Sequence, residues 1–202
     1  ALPTLAGTVV VVGLVGILVY FSIQKAEEES LKNKFDTAYF SYISSSRNNE
    51  NLEQSFQNFI STLQEISATK KDYNIVAIAN IILGDIYYNS EGRAYDTALS
   101  YYSKATNSRS EFLKVVAIFN VGQTYEAMGM FEESIKNYEI IFKNHSKSFL
   151  APVALIKCAE VYYYLGKPDK SKEMYSLLTN KYPDSQANII ANLIDLVLQQ
   201  AK

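Results

Sequence analysis

One cysteine and one histidine among 202 residues leave little room for metal or redox chemistry. A lone cysteine forms no internal disulfide, and one Cys with one His falls short of the four ligands a structural zinc site needs. Tryptophan is absent, and only 4 prolines and 8 glycines punctuate the chain, too few for an all-β protein of many turns or for a disordered one. Basic blocks are also missing. With 19 Lys and Arg against 21 Asp and Glu, the formal charge of −2 excludes a nucleic-acid binder, whose affinity comes mostly from neutralised phosphates. What is plentiful is apolar and aromatic: 48% hydrophobic residues, with 16 tyrosines and 10 phenylalanines. Long helices are the expected fold class, all-α.

Charge is missing altogether between Pro3 and Gln24. From Leu5 to Ile23 the segment would span roughly 28 Å as a helix, close to the thickness of a bilayer's hydrocarbon. Its glycines and β-branched valines are tolerable where lipid forces every backbone group to bond internally. A cleaved signal peptide would need a basic start and an A-x-A-like site, which Ser22-Ile23-Gln24 does not supply. A buried core helix would rarely be so uniformly apolar. Residues 1–24 are therefore predicted to be a transmembrane helix, meeting the membrane through residues 5–23, with Tyr20 and Phe21 near the interface. Gly7, Gly13 and Gly16 lack the spacing of a helix-dimer motif. Beyond the segment Lys25, Lys32 and Lys34 alternate with Glu27, Glu28, Glu29 and Asp36, so no basic cluster holds that side in the cytoplasm. The expected topology places the large C-terminal part outside.

Past residue 24 helical periodicity is broken by short polar stretches at 44–49, 69–72, 89–93, 107–110, 144–148 and 181–185. Breaks of this length make hairpins of helices. Residues 25–68 read as one helix pair, with Tyr39, Phe40, Phe56, Phe59, Ile60 and Leu63 as its apolar contacts, and the apolar segment is expected to run straight into it. Residues 73–202 read as three further pairs and a capping helix. Laid over one another, the pairs repeat: Leu83-Gly84-Asp85-Ile86-Tyr87, then Gly92, Ala98, Tyr102 and Ala105; Val121-Gly122-Gln123-Thr124-Tyr125, then Gly129, Ser134 and Tyr138; Cys158-Ala159-Glu160-Val161-Tyr162, then Gly166, Ser171, Tyr175 and Pro183. Gly122 to Ala159, Tyr125 to Tyr162, Gly129 to Gly166 and Tyr138 to Tyr175 are each 37 residues apart. Asp184 or Ser185 would cap the last helix, in which Ile189, Ile190, Leu193, Leu196 and Val197 recur at helical spacing.

This pattern resembles the tetratricopeptide repeat, a helix–turn–helix unit stacked into an α-solenoid. Residues 25–68 then resemble a degenerate first repeat. Departures are two extra residues around 89–93, and Asn80, Ile118 and Leu155 where the family often has Trp. The resemblance implies a concave groove lined by the first helix of each pair: Ile78, Ile81, Asp85 and Tyr88; Val116, Phe119, Gln123 and Glu126; Val153, Ile156, Glu160 and Tyr163. One branch of the family clamps a partner's C-terminal carboxylate. Asn120 and Lys157 fit that pattern, but Ile81, Asp85 and Val153 replace its other groups, so a clamp is not expected.

Catalytic schemes fail for want of parts. No phosphate-cradling or H-E-x-x-H motif occurs. His145 lies in a predicted inter-repeat turn without a visible partner, Cys158 falls at a small-residue packing position, and Glu132 with Glu133 reads as a solvated charged stretch. No catalytic residue, metal or cofactor is expected. The layout is similar to that of single-pass bacterial inner-membrane proteins with a periplasmic repeat domain, of the kind beside the export translocon or in the collar of a flagellar motor. The implied function is a scaffold or chaperone-like adaptor whose partners are other proteins. A cytoplasm-facing adaptor and a membrane-bound enzyme remain as alternatives.

Overall fold

A computed structural model describes residues 2–185, with side chains described from Leu18 onward. Eight helices, and no strand, occur among the described residues: α1 (Leu2–Asn48), α2 (Leu52–Ser67), α3 (Asn74–Tyr88), α4 (Tyr95–Ala105), α5 (Glu111–Ala127), α6 (Phe131–Asn144), α7 (Leu150–Tyr164) and α8 (Pro168–Lys181). The chain divides into two compact units, one through residue 75 and one from residue 76. The predicted capping helix beyond Ser185 lies outside the described residues.

In the first unit α1 and α2 form a hairpin. It turns at Asn49 and Asn51, with φ of 56° and 51°, a left-handed geometry that asparagine tolerates better than most residues. Phe59 is its aromatic hub, 4% exposed, with ring centroids 5.8 Å from Phe35, Tyr39 and Tyr42. Tyr42 also meets Phe56 at 5.3 Å. Phe40, predicted among these contacts, is instead 65% exposed, because Tyr39 and Tyr42 take the inward face of that turn and Phe40 falls between them. Tyr73, buried, donates its hydroxyl to Gln24 and to Glu27 Oε2 at 2.9 Å. Loss of water and the Glu27 carboxylate push its phenol up to about 12.

The predicted membrane span has no counterpart among the described residues, where no helix is long and apolar enough to cross a bilayer. Up to Ile17 that span lies outside the residues whose side chains are described. Within it Leu18, Val19, Tyr20, Phe21 and Ile23 are all more than half exposed, on every side of α1.

The second unit holds three hairpins: α3 meets α4 where Tyr102 lies against Gly84, and from α4 to α8 each helix packs on the next. Ala79, Leu83, Ala98, Ala117, Ala151, Ala154, Leu155 and Ala159 are fully buried. Asn80, Ile118 and Leu155 are buried as well. In the second and third hairpins the chain reverses on Gly129 and Gly166, with φ of +74° and +67°. Each closes the same way: Gly129 N–H donates to Glu126 O and Met130 N–H to Tyr125 O, as Gly166 does to Tyr163 and Lys167 to Tyr162. The first hairpin departs. Gly92, expected at its reversal, has no positive φ; the left-handed residue is Arg93 at 46°, since the longer loop from Asn89 moves the turn one residue on.

Candidate functional site

A tyrosine from the second helix of a pair is wedged against a glycine of the first. A Cβ placed on Gly84 would stand 2.4 Å from Tyr102 Cε1, and one on Gly122 would stand 2.7 Å from Tyr138 Cε1. Each buried ring ends in a hydroxyl that reaches an acidic side chain of the first helix. Tyr102 donates to Asp85 Oδ1 at 2.6 Å and Tyr138 donates to Glu126 Oε2 at 2.8 Å. The packing device therefore also holds an acidic side chain of each first helix in place. Burial, then the neighbouring carboxylate, raises both phenols above their ordinary value.

From there the polar groups run across the helices. Asn120 Nδ2 on α5 reaches Asp85 Oδ1 on α3 at 3.5 Å. Lys157 Nζ on α7 lies 3.6 Å from Glu126 Oε1 and 3.0 Å from Glu160 Oε2. Burial works against the Lys157 ammonium, but Glu160 and Glu126 outweigh it and raise its pKa. Because that ammonium already serves two carboxylates, it is a poor clamp for a partner's terminus. Asp85, exposed as a residue, has a carboxylate partly withdrawn from water; burial raises its pKa, with the Tyr102 hydrogen bond opposing.

The twelve residues predicted to line a groove lie on α3, α5 and α7, and eleven keep solvent contact. Ile156 does not; it is 9% exposed and joins the core with Leu155 and Cys158. Phe119 packs on Tyr138 with centroids 5.4 Å apart, and Tyr88 on Tyr95 at 5.2 Å. Tyr163 is 63% exposed. The bridging roles of Tyr102, Tyr138 and Lys157 were not predicted. The only sequence signal was the tyrosine that recurs in the second helix of each pair, 16 residues after the small residue in the second and third and 18 in the first.

Among the described residues no cluster of three or more His, Cys, Asp and Glu is placed to hold a metal ion. Cys158 is fully buried, its Sγ 3.8 Å from Ile135 O, and burial pushes the thiol well above its usual range. A maleimide added to folded protein is expected to leave Cys158 unlabelled and to label it fully in denaturant; rapid labelling of the folded chain contradicts this. His145 corrects the expectation of a lone turn residue. It follows α6, half-buried, with Nδ1 against Glu111 Oε1 of α5.

Residues 116–148 and 154–185, the α5–α6 and α7–α8 hairpins, match the family model of the tetratricopeptide repeat. These two hairpins are similar to tetratricopeptide repeats. Although outside the matched stretches, α3–α4 has the same tyrosine-on-glycine wedge and tyrosine-held carboxylate as the matched α5–α6 repeat. No curated protein matches the chain.

The desolvated Asp85 gives a pH signature for this repeat surface. A carboxyl whose folded pKa is raised favours folding when protonated, so its effect on stability worsens as pH rises through the carboxylate range. Asp85→Asn, which keeps an oxygen for Tyr102, is expected to melt above the parent at pH 7, and the gap is expected to close by about pH 3. Thermal melts at both pH values check the sign.

Proposed function

We propose that the chain is a non-enzymatic scaffold that binds another protein along α3, α5 and α7. Repeats of this family serve as protein–protein interaction scaffolds. The observation that carries the reading is the division of labour along these helices. Small residues and the wedged tyrosines fill the stack, while Ile81, Asp85, Tyr88, Val116, Phe119, Glu126, Glu160 and Tyr163 keep solvent contact. Their carboxylates are held by Tyr102, Tyr138 and Lys157, so part of the ordering cost of binding is already met.

Residues 5–23 tether this surface to a bilayer, with the repeats in the periplasm of a bacterial envelope, in a translocon-associated or flagellar assembly. The support is the uncharged run from Leu5 to Ile23 and the all-round exposure of its last residues. Tethering raises the effective concentration near membrane partners, so a moderate surface suffices. Photoreactive residues at Tyr88, Phe119 and Tyr163 in native membranes are expected to capture one and the same protein. Capture only from outward positions on α6 or α8 overturns the site. For topology, buried Cys158 leaves a clean background: a cysteine at Ser90 is expected to react with an impermeant reagent once the outer membrane is opened. Reaction only after inner-membrane lysis reverses it.

A further inference from the structure

The edge of the second unit that carries the inter-repeat turns has features which the protein-binding surface leaves unused. Phe112, in the first turn of α5, and Phe149, at the start of α7, are 60% and 59% exposed and stack on each other with centroids 5.6 Å apart. They share an open cleft with the turn 144–148, which includes the exposed Lys147. Lys143, in the last turn of α6, is exposed next to that turn, and Lys181 of α8 donates to Phe142 O at 3.3 Å beside it. Tyr182 ties the following segment to the turn by donating to Ser146 O at 2.8 Å. The acidic groups facing this edge are Glu111, engaged by His145, Glu139, engaged by Lys143, and the exposed Asp184.

Lysines in the last turns of α4, α6 and α8 complement the helix dipoles, as acids do in their first turns at the opposite edge. That accounts for Lys104, Lys143 and Lys181. Lys114, in the first turn of α5, and Lys147, in the turn that leads into α7, have no such reason, for the dipole disfavours a cation near a helix N-terminus. Nor does packing account for two phenylalanines left stacked in water. An apolar wedge with cations around it matches the chemistry of a bilayer interface, where rings enter the acyl boundary and ammonium groups meet anionic headgroups.

We propose that this edge docks on an anionic lipid surface, with Phe112 and Phe149 as the inserted wedge and Lys147 as its first headgroup contact, joined by Lys143, which stays exposed beside Glu139. The inference uses the second unit alone and does not depend on residues 5–23 or on the partner surface. Docking would lay the repeats edge-on to the membrane instead of leaving them free at the end of a tether.

The chain has no tryptophan, so Phe149→Trp supplies a single reporter at an exposed position that tolerates an aromatic ring. The full-length variant is added to phosphatidylcholine vesicles and to vesicles with about a third phosphatidylserine, each with and without brominated acyl chains. The expected result is a blue shift and bromine quenching on the anionic vesicles only. Lys143→Glu with Lys147→Glu is expected to weaken that response about tenfold. Tyr164→Trp, at the other end of α7, 74% exposed and roughly 22 Å away, is expected to stay unquenched. No quenching at position 149, equal quenching at 149 and 164, or equal quenching on neutral vesicles overturns the proposal. So does a polyglutamate peptide that shifts the Phe149→Trp emission as strongly as vesicles do, which would make the edge a site for acidic protein segments.

Discussion

Gly84→Val is expected to lower the unfolding free energy by about 3 kcal/mol, a typical cost of overpacking at a site that does not relax. A Cβ there would meet Tyr102 Cε1 at 2.4 Å and Cδ1 at 2.5 Å. The ring has nowhere to go: Tyr102 is 3% exposed, and its hydroxyl is tied to Asp85. Glycine normally weakens a helix interior, by roughly 1 kcal/mol against alanine. Its presence in the middle of α3 is explained by the close approach alone. Urea denaturation followed by circular dichroism reads the loss. In a double-mutant cycle the penalty should shrink when Tyr102 is first shortened to Leu; an undiminished penalty would mean the strain lies elsewhere.

Tyr138→Ala is expected to cost about 4 kcal/mol, the upper range for removing a fully buried aromatic side chain. The ring is 0% exposed between Gly122 and Phe119, so its loss opens a cavity between α5 and α6. Tyr138→Phe keeps the ring and removes only the bond to Glu126; about 1 to 2 kcal/mol is expected, since Glu126 keeps Lys157 at 3.6 Å. The pair of variants separates the two jobs of this residue. The phenylalanine variant should fold and yet bind its partner less well, because the Glu126 carboxylate is no longer pinned. Equal losses of stability from both substitutions would contradict the division.

What the residues disclosed and what they concealed follow one physical line. Helix breaks and glycine turns are local: the small polar stretches at 107–110 and 144–148 and the turns at Gly129 and Gly166 fall where expected, because a left-handed residue or a run of poor helix formers acts on its own neighbours. The repeated tyrosine offset was legible for the same reason. Pairings between hairpins were not. His145 meets Glu111 from 34 residues earlier, and Lys157 is shared by Glu126 and Glu160. Such contacts depend on how one hairpin sits on the next, which periodicity does not encode. The same applies to apolar residues that stay outside: Phe40, Phe112 and Phe149 resemble core residues in the sequence and lie on the surface. Gly92 shows a local signal failing too, since two inserted residues were enough to shift the reversal to Arg93.

The solvent-reaching line of α3, α5 and α7 is the central claim, and the affinity of full-length protein for the partner captured there tests it most directly. Tyr88→Ala and Tyr163→Ala are each expected to weaken binding about tenfold, as truncation of an aromatic anchor does. Ile140→Ala and Leu177→Ala, on α6 and α8 and 37% and 36% exposed, are expected to leave it unchanged. Loss of affinity with the second pair and none with the first would place the partner on the opposite helices and contradict the claim.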